Sequence, residues 1–157
     1  MTVYQPREDS ELLAKAVLEM DLSEGDRCLD MGTGTGFIAS KMVDSGAGQV
    51  LAVDVNPEAV QEASEKLEDH ENVEVRESDL FENVDGVFDL IAFNPPYLPD
   101  DEEDVDDDGM WVGGETGEEL TEEFLDEAGD YLSENGFVIF IVSSTSDFEV
   151  DGYEIVD

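Results

Sequence analysis

The sequence predicts an α/β fold: a mostly parallel, twisted, Rossmann-like sheet with helices on both faces. Two observations carry this. Strand-like apolar runs alternate with helix-like segments along the chain, as in sheets whose strands are buried on both sides. The first apolar run leads into Asp30-Met31-Gly32-Thr33-Gly34-Thr35-Gly36, a glycine-rich turn that lets a backbone reverse sharply and approach a ligand.

The elements follow in order. A first helix begins near Ser10, capped by Asp9 or Ser10, with Leu12, Leu13, Ala16, Val17 and Met20 as its apolar stripe. Residues 27–31 read as the first strand and residues 36–45 as the next helix. Residues 50–54 form the second strand. Asn56-Pro57 opens the following helix, with Asn56 as cap and Pro57 at the first helical position. Residues 73–76 and 88–93 are the third and fourth strands. Residues 118–133 read as a long helix stopped by Asn135-Gly136. Residues 137–142 form a strongly apolar, central fifth strand, and residues 153–156 offer a sixth. No repeat or linker divides the chain, so residues 1–157 are read as one domain.

Composition narrows the class. A length of 157 residues suits one core, and a hydrophobic fraction of 40% excludes general disorder. No apolar run approaches the ~20 residues of a membrane span, and the N-terminus lacks a secretory apolar stretch. A soluble, cytoplasmic protein without membrane attachment is expected. The single cysteine, Cys28, excludes an intrachain disulfide framework and a cysteine-based zinc site, and is expected in the core. With His70 the only histidine, no metal site is expected. His70 lies in an acidic turn where solvent exposure is expected.

Six Lys and Arg stand against 44 Asp and Glu, a net charge of -38. The acids are spread over every helix and loop instead of forming a tail. Two readings compete, an acidic protein that binds basic partners and a halophile's protein kept soluble by charge while salt screens the self-repulsion, and the even spread favours the second. It also disfavours long contacts with a phosphate backbone. From Asp100 to Asp108 every residue but Val105 is acidic, which reads as a solvated loop or as a lid beside the site.

The glycine turn is not the dinucleotide fingerprint, because its third glycine arrives one residue early. It resembles motif I of class I methyltransferases, in which an acid precedes G-x-G-x-G. Asp30, Gly32, Thr33, Gly34 and Gly36 are therefore candidate binding residues for S-adenosyl-L-methionine, with S-adenosyl-L-homocysteine as product. Asp54, at the end of the second strand, stands where a carboxylate accepts from both ribose hydroxyls; Val55 is counted with it. Asp79 is placed to accept from the adenine amine while the Leu80 N–H donates to the ring.

The fourth strand ends in Asn94-Pro95-Pro96-Tyr97, the candidate catalytic residues. This resembles the N-P-P-Y motif of methyltransferases acting on nitrogen conjugated to a planar system. An amide nitrogen is a poor nucleophile. The Asn94 side-chain oxygen, which also adjoins the cofactor, and the Pro95 carbonyl can each accept one of its hydrogens. The prolines stiffen the turn, and Tyr97 packs on the planar group. Methyl transfer is an in-line displacement, so alignment is the main task.

Val3-Tyr4-Gln5-Pro6-Arg7-Glu8-Asp9-Ser10, Ser78-Asp79-Leu80-Phe81 and Trp111-Val112-Gly113-Gly114-Glu115-Thr116-Gly117 extend the likeness. Together with N-P-P-Y they resemble the archaeal and eukaryotic short form of the HemK family of protein glutamine-N5 methyltransferases. The resemblance implies that Pro6, Glu8 and Ser10 lie near the cofactor. It implies as substrate the glutamine of the G-G-Q motif in class I translation release factors, some members acting on lysine instead. It also implies a heterodimer with a small zinc-binding activator, which would meet Asn72-Val73-Glu74-Val75-Arg76 as an open edge strand. An adenine amino-methyltransferase acting on DNA or RNA uses a similar clamp, but would need a basic groove that this chain lacks. The family usually completes its sheet after the fifth strand. Only residues 143–157 follow here, so the C-terminal part reads as shortened.

Overall fold

The structure, a computed structural model, describes residues 8–93 and 118–140. Five strands, β1 (Arg27–Met31), β2 (Gln49–Asp54), β3 (Val73–Glu77), β4 (Phe88–Phe93) and β5 (Leu132–Phe140), form one sheet in the order β3-β2-β1-β4-β5. All neighbouring pairs are parallel. Helices α1 (Glu8–Leu18), α2 (Phe37–Asp44), α3 (Pro57–Lys66) and α4 (Glu118–Ala128) complete the α/β fold.

Strand alternation sorts the core into two layers. Cys28, Val50, Ala52, Leu90 and Ala92 face α1, α2 and α3, where Val17, Met42 and Ala63 are buried with them. Leu29, Leu51, Val53, Ile91 and Phe93 face the other way, toward Phe124 and Ala128 of α4 and toward Phe81 in the turn after β3. Burial on both faces explains why the strands read as nearly continuous apolar runs. Cys28 is fully buried; burial, followed by the nearby Asp26 and Asp89 carboxylates, pushes its thiol up to about 12.

Local chemistry sets most of the boundaries. The Asn56 side chain accepts the Glu58 N–H at 3.0 Å, and Pro57 opens α3 with a ring that sacrifices no helical hydrogen bond. Strands β1 and β4 have the predicted limits. Strands β2 and β3 each gain one residue, Gln49 and Glu77.

Expectations are corrected at three elements, one of them β5, which begins at Leu132 instead of 137 and is the outer strand beside β4 among the described residues, not a central one. Helix α1 starts at Glu8, so Ser10 lies inside it and does not cap it. Ala14, in place of Leu12, joins Leu13 and Val17 in the core, leaving Leu12 41% exposed. The small Ala14 suits a face packed against a second helix. The predicted long helix also ends early, at Ala128, followed by one 3-10 turn, Gly129–Tyr131. Asn135-Gly136 does not stop a helix; it lies in a bulge of β5. Phe88 pairs with Leu132 whereas Leu90 pairs with Phe137, so the intervening residues of β5 loop out of register. Glycine is required there, because a Cβ on Gly136 would lie 2.6 Å from the Phe88 carbonyl oxygen. Asp89 fastens this end of the sheet, accepting the Arg27 N–H at 2.9 Å and the Ser133 hydroxyl at 2.7 Å.

His70 is half-buried, less exposed than its acidic surroundings suggest. No helix among the described residues is long and apolar enough to cross a membrane. The end of the predicted fifth strand, the sixth strand and the acidic segment lie outside the described residues.

Candidate functional site

The parallel sheet brings the C-terminal ends of β1, β2, β3 and β4 to one edge. Chain order reverses between β1 and β4, since β2 and β3 lie on one side of β1 and β4 and β5 on the other. Open α/β sheets bind ligands in the crevice at such a switch point. The glycine turn leaves β1 at this place. The Gly32 and Thr33 N–H groups both donate to the Val53 carbonyl, at 2.9 and 2.8 Å, which ties the turn to β2. Gly32, Gly34 and Gly36 have φ of 78°, 56° and 90°, in the left-handed region that glycine enters without steric cost. Gly36 caps α2 with no side chain of its own, and the Asp30 carboxylate meets the Ala39 N–H in the first turn of that helix.

Two carboxylates shape the turn. Asp30, 2% exposed, accepts the Thr33 hydroxyl at 2.7 Å. Burial pushes its carboxyl up to about 7; the Thr33 hydroxyl and the Ala39 N–H pull it down, and the Asp54 charge adds to the rise. Asp54 ends β2 and accepts the Gly34 N–H and the Asn56 N–H, each at 2.9 Å. Burial raises it as well, against the N–H groups of Asn56, Gly34 and Val55. A carboxylate has about four acceptor sites, so Asp54 keeps capacity for a hydroxyl beside these N–H groups. Val55, the next residue, is 57% exposed, an apolar surface directly beside the carboxylate.

The third strand contributes the turn of Asp79 and Leu80. Asp79 is exposed and Leu80 nearly buried with φ 52°. Phe81 anchors this turn from below, its ring stacked 4.4 Å from Tyr131 and 5.6 Å from Phe124. From β4, Phe93 pairs with Met31. Asn94, Pro95, Pro96 and Tyr97 follow it in sequence and lie outside the described residues, as does Pro6. Glu8 opens α1, and Ser10 is buried in that helix.

The structure thus gathers Asp30, Gly32, Thr33, Gly34, Gly36, Asp54, Val55, Asp79 and Leu80 at one sheet edge. Sequence reasoning did not assign Asn56, whose N–H holds Asp54, or Ser78, whose hydroxyl donates to Leu80 and accepts from Asn83. Asn56 was legible as a cap only. Ser78 was legible only as the first residue of the Ser78-Asp79-Leu80-Phe81 stretch, because its partners are set by the fold of the turn.

A left-handed glycine turn, a carboxylate at the next strand end and an acceptor–donor pair at the third suit a nucleoside bearing a free diol. No group of three or more His, Cys, Asp or Glu that could hold a metal occurs among the described residues. With this sheet, the site defines an S-adenosylmethionine-dependent methyltransferase of class I fold. Comparison with known proteins then gives the family. The chain belongs to the methyltransferase small domain family, which matches residues 8–150.

A Methanocaldococcus jannaschii protein, provisionally named a protein N5-glutamine methyltransferase, is 40% identical over 146 residues, covering 90% of this chain and 73% of its own length. The release factor glutamine methyltransferase of Shewanella oneidensis is 34% identical over 149 residues, covering 88% of this chain and 52% of its own. Among solved structures, a ribosomal protein L11 methylase from Lactobacillus delbrueckii subsp. bulgaricus superposes with a TM-score of 0.66 at 26% identity. It covers 88% of this chain, which spans 62% of it.

Proposed function

We propose that the protein methylates the side-chain amide nitrogen of the glutamine in the G-G-Q motif of a class I translation release factor. The observation that carries the reading is the placement of Phe93. Paired with Met31, it ends β4 beside the glycine turn, and Asn94-Pro95-Pro96-Tyr97 follow it in sequence. The names of the two relatives described above support glutamine as the target.

When bound, S-adenosylmethionine supplies an electrophilic methyl group. Asp54 accepts from the ribose hydroxyls, and Val55 packs against the adenine. The Asp79 carboxylate and Leu80 N–H read the adenine edge. Gly32, Thr33, Gly34 and Gly36 admit the cofactor close to the backbone, and Asp30 holds the turn. Pro6, Glu8 and Ser10 cover it. The Asn94 side-chain oxygen and the Pro95 carbonyl hold both hydrogens of the target amide, so its nitrogen faces the methyl group as positive charge develops there. Pro96 stiffens the turn, and Tyr97 packs on the planar amide. Residues 1–157 act as one methyltransferase domain.

The protein works in a salt-rich cytoplasm as a heterodimer. Its partner is a small zinc-binding activator that adds a strand to β3. Support comes from the position of β3 as the outer strand beside β2 and from its polar face. Glu74 is exposed and Arg76 is engaged within the chain, donating to Glu74 at 2.6 Å and to the Asn83 carbonyl at 2.7 Å. The test adds S-adenosylmethionine and the release factor to the protein in multimolar KCl, with and without the activator, and maps methyl groups by peptide mass spectrometry. A methyl on the G-G-Q glutamine, stronger with the activator, is expected. An unmodified glutamine while the cofactor binds would refute the reading.

A further inference from the structure

The turn after β3 holds a conformation that its own sequence does not favour. Leu80 has φ 52°, a left-handed backbone at a bulky, non-glycine residue whose side chain is packed into the core. Such a conformation persists only where the surroundings over-determine it, and it gathers at functional sites. Several bonds constrain it here, the Glu82 N–H donating to the Asp79 carbonyl at 3.1 Å among them, and one buried hydroxyl holds the Leu80 carbonyl itself. Ser78, 2% exposed, donates to the Leu80 carbonyl at 2.6 Å and accepts the Asn83 N–H at 2.9 Å, closing the turn from both sides. Its own N–H donates to the Asp54 carbonyl at 3.0 Å, which ties the turn to the end of β2. The Asn83 side chain adds a bond to the Glu77 carbonyl at 3.0 Å. No described residue accepts the Leu80 N–H, and the Asp79 side chain is exposed beside it.

The geometry points to Ser78 as the positioning residue for purine selectivity: by holding Leu80 left-handed, its hydroxyl keeps the Asp79 carboxylate and the Leu80 N–H side by side toward the adenine edge. This rests on the adenine-side reading of Asp79 and Leu80 given above. An acceptor beside a donor complements the amine and ring nitrogen of adenine. Hypoxanthine reverses both, presenting a carbonyl and a ring N–H. A site built this way rejects the reversed base because its own polar groups are left unpaired. Without the Ser78 hydroxyl, Leu80 relaxes toward negative φ, and its N–H turns away from that edge.

The test measures binding of S-adenosylhomocysteine and S-inosylhomocysteine to the full chain by calorimetry in multimolar KCl, alongside kinetics in S-adenosylmethionine. Ser78→Ala is expected to lower the adenosine-to-inosine preference about tenfold, the equivalent of one displaced hydrogen bond. KM for S-adenosylmethionine should rise while kcat at saturation holds. Ser78→Thr keeps the hydroxyl and is expected to keep the preference. Asp79→Ala separates this inference from the reading beneath it. If Asp79→Ala loses the preference and Ser78→Ala keeps it, the positioning role is wrong and the adenine-side reading stands. If neither loses it, both are wrong. Equal loss of both ligands in Ser78→Ala, with a lowered Tm, would mark Ser78 as structural only and overturn the proposal.

Discussion

Replacing Asp30 with asparagine is expected to flatten the pH dependence of stability between about pH 4 and 7. The carboxyl is fully buried and sits at about 7 in the folded protein, against 3.8 when solvated. Between those values the native state binds a proton that the unfolded chain has released. Stability therefore falls as pH rises through this window and levels off above the folded value. At 1.36 kcal/mol for each pH unit, the span corresponds to roughly 4 kcal/mol lost from this group. The amide introduced by Asp30→Asn has no charge to bury, and the Thr33 hydroxyl can rotate to suit either an acceptor or a donor. The assay is urea denaturation of both proteins from pH 4 to 9 at constant multimolar KCl, where screening suppresses the common repulsion of the surface acids. The difference between the two curves isolates Asp30. Parallel curves would refute the argument that burial, the largest cause of the raised carboxyl, governs its titration.

Asn94→Ala is expected to lower kcat by about 10²–10³-fold with S-adenosylmethionine binding retained, as for loss of a transition-state donor or acceptor; retained turnover would sink the amide clamp. Asp54→Ala should weaken cofactor binding by about tenfold or more through loss of charge-assisted bonds to the ribose, read by calorimetry. Phe124→Ala removes a fully buried ring stacked 4.2 Å from Phe93 and 5.6 Å from Phe81, and should cost about 3–5 kcal/mol in urea denaturation. Val75→Pro removes an N–H that points away from β2, since the alternation set by Asn72 and Ser78 turns the Glu74 N–H toward β2, and is expected to abolish complex formation with the activator in size-exclusion chromatography; an intact complex would exclude strand addition there.

Much of the fold was legible because it is written in short-range chemistry. The limits of β1 and β4, the Asn56-Pro57 start of α3 and the burial of Cys28 follow from apolar runs and caps spanning a few residues. The misreadings came where local periodicity runs on past the true break. Tyr131 and Leu132 continue the apolar spacing of α4, so the end at Ala128 was hidden; the bulge at Asn135-Gly136 depends on Phe88 approaching across the sheet.

The sequence by itself determined the class of fold, the glycine turn and the acids at successive strand ends, since turn chemistry and alternation need no knowledge of distant partners. The tertiary structure alone decided how those acids are held. Strand register brings the Gly34 N–H onto Asp54, burial raises Asp30, and the closed turn sets Ser78 against Leu80 and Asn83. Hydrogen-bond pairing and desolvation depend on which atoms meet when parallel strands align, and residues far apart in the chain fix that only on folding.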